Sequence, residues 1–576
     1  MFRRARFAVL FGVIFLVILR YYTTTRHSIL DVTEGKTSGP WREEWGHPIK
    51  TKQSKGANDT VHDESDEYVN YLRVLHRKHG FTNDVPVATR RIKAKYSKPP
   101  LKARPSLAQV KNPLFKDPLG FTRARLDSDN IWLPAHAEIP PLSLPIARTG
   151  PRPSSIDASS LLFGISTTYA RLTYANNALL SDWAAWLTDG RGSSNGAGLV
   201  LTLHGATESQ VKTIRDELHH LGIDVTLTAS AEGETDAGGR YAQLVQQMMR
   251  QRHREPDRKW FALVDDDVFF PCMGRLLSRL QKFDTSETHY VGVPSERADW
   301  VIDHGTAITY GGAAIFMTAP MLDTSGQLLC LQYTKTSGQT GLADEEDPGV
   351  GMAWDEGLSE CLARNTPDIK MDVLPGLFSP TTANAQTNID DVQRGGGYAS
   401  GALPLALHRY RNYHRFEAGK GHAVTSACGE DCFLQRFLFK DGWVLVNGYT
   451  LTRYDGGVTA EKVTVQTPKK KSGGADSKGA VKPSERLRIV DAEDVNPKER
   501  YALSWKGKKK TWRLLDARVK ENGEVWQAYV NRRGGGNTVG GDMDDRRPGD
   551  IVHHAEEEKS DVDSVILLIW EGEGEK

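Results

Sequence analysis

Trp260-Phe261-Ala262-Leu263-Val264-Asp265-Asp266-Asp267-Val268-Phe269-Phe270 is the segment that decides the reading. An apolar strand runs straight into three carboxylates and back into apolar residues. Two like charges about 4 Å apart repel by about 4 kcal/mol at an effective dielectric of 20. A fold tolerates that when a cation offsets it, and carboxylate oxygens suit Mg²⁺ or Mn²⁺. A divalent ion held there would bridge a diphosphate and stabilise it as a leaving group. Two rival readings start from the same residues. One is an acidic turn in which an Asp caps a helix near Met273. The other is an Asp nucleophile of the phosphatase type.

Outward from this segment, strands and helices alternate. LLFGIS (161–166), GLVLTL (198–203), DVTLT (224–228) and Trp260 to Val264 read as strands. Ala178 to Leu187, Glu208 to Leu221 and Tyr241 to Gln251 read as the helices between them. This spacing predicts βαβ units and an α/β fold with a mostly parallel sheet. Ligands of such sheets bind at the carboxyl ends of the strands, where the three Asp fall.

The chain has 576 residues, with 74 Lys+Arg against 73 Asp+Glu. This balance excludes a chain-wide basic surface, so no nucleic-acid partner is expected. Met1 to Arg6 is basic, Phe7 to Leu19 is an apolar run, and Arg20, Tyr21 and Tyr22 close it. That pattern predicts a cytoplasmic tail and signal anchor over 1–22, with a cleaved secretory signal as the alternative. The rest would be lumenal or extracellular, where Asn58-Asp59-Thr60 is a usable glycosylation sequon.

Eleven Pro between Pro99 and Pro153 predict an extended stem over 23–155. A helix through Val69, Leu72 and Leu75, ended by Gly80, is expected inside it as a solvated element. Residues 156–457 form the expected catalytic domain. A linker follows over 458–490, containing PKKK at 468–471, and then a small β-rich appendage over 491–576 with strands at 511–519, 524–530 and 563–571.

Several blocks, taken in order, resemble the fringe-like β-1,3-glycosyltransferases (glycosyltransferase family 31), most closely their fungal branch. They are GISTTYARL (164–172), KWFALVDDDVFFP (259–271), YVGVPSE (290–296), YGGAAIFMT (310–318), WDEGLSECL (354–362), LALHRYRNY (405–413) and CGEDCFLQRFLF (428–439). The chain departs from the family pattern at Val268, Trp354, Ala314 and Arg409-Tyr410.

The resemblance implies a GT-A fold and a UDP-sugar donor. It implies transfer of a sugar of the galactose or N-acetylglucosamine class, with inversion, to a hydroxyl of a glycan or glycoprotein acceptor. Asp267 would bind Mn²⁺ or Mg²⁺ directly, and Asp265 and Asp266 would support the ion or contact the donor ribose. His408 would be the second protein ligand. Asp355 would be the general base, with Glu356 as runner-up. Thr167, Thr168 and Arg171 would lie on the donor side, where Arg171 suits diphosphate or uracil. Gly311 and Gly312 would let the backbone approach the donor. Together with the N-terminal anchor, the resemblance implies a single-pass type II Golgi protein, secreted if the anchor is cleaved.

In an oxidising lumen Cys428 and Cys432 are expected to form a disulfide. Cys330 with Cys361 is a candidate second bridge that would leave Cys272 free. His414, His422, Cys428 and Cys432 form an alternative zinc set of non-standard spacing. Two other functions stay open: a non-catalytic lumenal carbohydrate-binding protein, and a metal-dependent nucleotide-diphosphate hydrolase.

Overall fold

A computed structural model of the chain describes residues 64–96, 105–115, 120–127, 139–146, 151–230, 237–292, 314–331, 354–374, 377, 404–408, 410–411, 416–464, 487–489, 499–534 and 560–572. Its first sheet has eight strands. In spatial order they are Leu487–Ile489, Met371–Val373, Tyr290–Gly292, Ile315–Thr318, Trp260–Val264, Leu161–Thr168, Gly198–His204 and Asp224–Ser230. All neighbours are parallel except at Ile315–Thr318, which runs antiparallel to both of its partners. The α/β expectation is met, and the Trp260–Val264 strand begins and ends where the sequence reading put it.

The central strands are buried along their length. This is why they read as unbroken apolar runs rather than alternating ones. The helix Tyr169–Leu187 follows the first strand, and Thr168 caps it by accepting from Arg171 N–H at 3.3 Å. The helix Glu208–His220 opens with a capping box between Thr207 and Gln210 and buries Val211, Ile214 and Leu218. The helix Ala237–Arg254 lays Tyr241, Leu244, Val245 and Met248 on Leu162, Phe261 and Leu263. A Cβ at Gly164 would meet Met248 Sδ at 2.7 Å, so glycine sets how closely this helix approaches.

A second sheet has ten strands drawn from distant parts of the chain. Its order is Ala108–Val110, Arg436–Phe439, Trp443–Val446, Thr450–Tyr454, Lys509–Val519, Val525–Asn531, Ser564–Trp570, Asp84–Tyr96 and Thr122–Arg125, with Leu142–Ile146 also pairing Asp84–Tyr96. Four expectations are corrected here. The segment read as a stem supplies four of these strands, and Asp84–Tyr96 lies parallel to Ser564–Trp570. The helix expected to be solvated runs from Glu64 to His79 and buries Tyr68, Tyr71, Leu72 and Leu75 against this sheet. Gly80 ends it at φ +60°. The boundary drawn at 457 cuts through the sheet, because Thr450–Tyr454 pairs with Lys509–Val519. Part of the expected linker, Val458–Thr464, pairs with Glu499–Trp505.

The expected placement as a single-pass type II Golgi membrane protein is also corrected. Among the described residues no helix is long and apolar enough to cross a membrane. The apolar run Phe7 to Leu19, the sequon at Asn58 and PKKK lie outside the described residues.

Candidate active site

The acidic segment forms a tight turn at the carboxyl end of the Trp260–Val264 strand. Val268 N–H donates to Asp265 O at 3.3 Å and closes it. Trp183 Nε1 donates to Asp266 O at 3.0 Å and pins the turn from the neighbouring helix. The chain then enters the short strand Val268–Phe269, which pairs antiparallel with Leu407–His408 so that His408 lies opposite Val268. A residue about 140 positions away is thereby fixed beside the turn.

This pairing brings three ligand atoms of Asp265, Asp267 and His408 within 4.8 Å of one another. His408 Nε2 lies 3.2 Å from Asp267 Oδ1 and 3.6 Å from Asp265 Oδ2. The side chains are 1%, 14% and 29% exposed for His408, Asp267 and Asp265, so the cluster opens to solvent on the Asp265 side. Two carboxylates and an imidazole at this spacing fit a hard or borderline divalent cation, and Mn²⁺ or Mg²⁺ suits them by donor chemistry. Asp265 thus lies with Asp267 and His408 in one cluster of potential ligand atoms.

Asp266 turns the other way. It accepts from Thr167 Oγ1 in a short hydrogen bond and from Arg171 Nε at 2.5 Å. Burial pushes its carboxyl up, against the pull of Arg171. Arg171 also reaches Asp267 Oδ2 at 3.3 Å, and the acidic turn holds its guanidinium pKa above the ordinary value. So Thr167 and Arg171 meet the acidic turn itself, and Thr168 serves as a helix cap.

Asp355 is buried in the first turn of the helix Trp354–Asn365. Its neighbour Trp354 donates from Nε1 to Asp265 Oδ1 at 2.9 Å, which ties that helix to the acidic turn. The side chain of Glu356, and both Gly311 and Gly312, lie outside the described residues. The next described residue after those glycines, Ala314, has φ +105°, a conformation that favours glycine.

The capping alternative for the three Asp does not hold. The helix Met273–Leu280 follows Cys272, which makes no side-chain cap, and Glu430 receives Gly274 N–H on both carboxylate oxygens at 3.1 Å. Disulfides join Cys428 to Cys432 and Cys330 to Cys361, and Cys272 is a buried thiol outside both bridges that donates to Glu430 O at 3.7 Å. The zinc set is thereby excluded, since its two thiols are joined.

Sequence reasoning missed two groups. Tyr241 shares Asp265 Oδ1 with Trp354, its Oη 3.0 Å away. Asp182 is buried and anchors the segment after His408. It accepts from Tyr410 Oη at 2.5 Å, from Arg411 Nε at 2.7 Å and from Gly419 N–H at 3.0 Å. An Asp in the middle of an apolar helix was the available signal.

No family model matches the chain, and no curated protein matches it. Among solved structures, it is similar to mouse xyloside xylosyltransferase 1 in its apo form. The identity is 14% and the TM-score 0.26, covering 44% of this chain and 98% of that one. It is also similar to a glycosyltransferase involved in glycosylation of the major capsid of PBCV-1, at 12% identity and TM-score 0.20, covering 37% and 81%. A third is the 4-diphosphocytidyl-2C-methyl-D-erythritol synthase of Anaerococcus prevotii, at 10% identity and TM-score 0.24, covering 38% and 89%. Likenesses at these scores carry no weight for what the chain does.

Proposed function

We propose that the chain is an inverting glycosyltransferase with a GT-A type fold. It would move a sugar of the galactose or N-acetylglucosamine class from a UDP-sugar to a hydroxyl of a glycan or glycoprotein acceptor, forming a β-linkage. One observation carries the reading: Asp265, Asp267 and His408 converge at the carboxyl end of a central strand, where ligands of such sheets bind. The order of sequence blocks resembling the fringe-like family supports it.

In this reading Asp265, Asp267 and His408 hold Mn²⁺ or Mg²⁺. Bound there, the ion supplies charge neutralisation to the diphosphate and stabilises UDP as the leaving group. Asp355 takes the proton of the acceptor hydroxyl as its oxygen bonds to the anomeric carbon and the bond to UDP breaks. Thr167, Thr168, Arg171 and Asp266 belong to the donor side, as do Gly311 and Gly312, and Glu356 is the second candidate base. His408 is held by backbone pairing on one side and the acidic turn on the other, so its imidazole is oriented in advance.

The test is a UDP titration of the full chain with and without Mn²⁺, repeated on Asp267→Ala. Mn²⁺-dependent binding that the variant loses is the expected result, and no UDP binding under either condition overturns the reading. A UDP-sugar panel with and without acceptor then separates transfer from hydrolysis. A hydrolase would consume donor equally well with no acceptor present.

A further inference from the structure

The two carboxylate oxygens of Asp265 have different surroundings. Oδ2 faces His408 Nε2 at 3.6 Å, toward the cluster. Oδ1 faces away from it and accepts from Trp354 Nε1 at 2.9 Å and Tyr241 Oη at 3.0 Å. The two donor rings stack on each other, with centroids 3.8 Å apart and planes 3° from parallel. The second torsion of an Asp side chain is soft and nearly two-fold, so a carboxylate with no donors turns easily. Two donors on one oxygen remove that freedom.

The donors are not equal. Tyr241 Oη lies 3.0 Å from Val264 O as well as from Asp265 Oδ1, so its single hydrogen is divided between two acceptors. Trp354 Nε1 has its hydrogen for Asp265. Trp354 is also the first residue of the helix that carries Asp355, and Cys361 further along that helix is bridged to Cys330.

We propose that Trp354, with Tyr241 beneath it, is a positioning residue for the cation site. It holds Oδ1 of Asp265 so that Oδ2 presents to the ion, and it ties the helix bearing Asp355 to the same carboxylate. Cation binding and docking of that helix therefore favour each other, and by linkage the effect is reciprocal. The inference rests on the cation reading above and adds which side chains set its strength. Partners that orient a metal ligand are worth about 10- to 100-fold in metal affinity.

The experiment is Mn²⁺ binding to the full chain without nucleotide, followed by the resonance of free Mn²⁺. Trp354→Phe keeps an aromatic ring in the stack and removes the N–H, and Tyr241→Phe removes only the hydroxyl. Trp354→Phe is expected to weaken Mn²⁺ about tenfold, and Tyr241→Phe roughly threefold because its hydrogen is already divided. Asp267→Ala is the reference that loses Mn²⁺ altogether. Raising Mn²⁺ should restore UDP binding by Trp354→Phe to the level of the parent chain, which a general loss of structure would not allow. Near-UV circular dichroism checks that both Phe variants are folded. If Trp354→Phe fails that check, Tyr241→Phe carries the test, with a loss supporting the inference and unchanged affinity overturning it. Affinity within twofold of the parent in a folded Trp354→Phe, with Asp267→Ala inactive in Mn²⁺ binding, overturns this inference alone. Unchanged affinity in Asp267→Ala overturns the cation reading and this inference with it.

Discussion

Asp182 and Asp267 are both carboxylates in the sheet-and-helix unit, and their surroundings differ in kind. Asp182 is buried, and a guanidinium, a phenol and a backbone amide answer it. Gly419 makes room for this, since a Cβ there would meet Asp182 Oδ1 at 2.6 Å. Asp267 shares its small volume with a second carboxylate and a histidine, with Arg171 reaching one oxygen at 3.3 Å. Two carboxylate oxygens 4.8 Å apart, the widest spacing in the cluster, repel by about 3.5 kcal/mol at an effective dielectric of 20. A carboxylate that finds all its partners within the chain does structural work. Two carboxylates and an imidazole brought together at the open end of a strand form a donor set that suits a divalent cation.

Substitutions can break this contrast. The largest effect is expected at Asp267. Asp267→Ala should remove Mn²⁺-dependent UDP binding and cost the cation-free chain less stability in urea than Asp182→Ala does, because relief of the repulsion from Asp265 offsets the lost contacts with Arg171 and His408. A fall in the urea midpoint as large as that of Asp182→Ala would put Asp267 in the structural class. Next, Asp355→Asn should leave UDP affinity unchanged and lower transfer by about 10²- to 10⁴-fold, the usual worth of a general base. Full transfer activity in that variant would assign the base elsewhere. Asp182→Ala should cost about 3 kcal/mol of stability, as read by urea unfolding, since it removes the buried acceptor that Tyr410, Arg411 and Gly419 share and leaves Arg411 only Glu417 and Ala178 O. UDP binding by its folded fraction should persist at saturating Mn²⁺.

A pH dependence is expected at a third carboxylate. Burial pushes Glu430 from its ordinary 4.5 up to about 8, although Gly274 and Met273 amides pull it down. The folded chain therefore holds this proton over a window in which the unfolded chain has released it. Its contribution to stability is full below about pH 4.5 and is lost as pH rises toward about 8. Glu430→Gln should flatten that slope in melts taken between pH 5 and pH 8. An unchanged slope would mean that Glu430 is ionised in the folded chain.

The eight-stranded sheet was legible because its order is sequential over residues 161–230, Trp260–Val264 returns to the other side of Leu161–Thr168, and its buried strands declare themselves as apolar runs. The ten-stranded sheet was not. It joins Val87 to Val565 and Phe437 to Ala108, pairings that leave no local trace. The Pro-rich stretch was read as extended chain, and part of it is extended within a sheet. Pro145 sits in Leu142–Ile146, which among the described residues pairs with Asp84–Tyr96 alone, and such an edge position tolerates a residue without an N–H. The tyrosines at 68 and 71 complete the buried stripe of the first helix, which Val69, Leu72 and Leu75 alone did not reveal. At the site, the triple Asp stood out by its chemistry, and His408 only by the order of blocks. Trp354 and Tyr241 act through single hydrogen bonds to Asp265, which follow no period and carry no signature in one sequence.

The central claim is that a divalent cation sits among Asp265, Asp267 and His408. A crystal of the full chain grown with Mn²⁺ and UDP, with anomalous data collected for manganese, tests it most directly. The account predicts one strong peak coordinated by Asp267, Asp265 Oδ2 and His408 Nε2 and bridged to the diphosphate. UDP bound in the crystal with no manganese peak among these three side chains would contradict it.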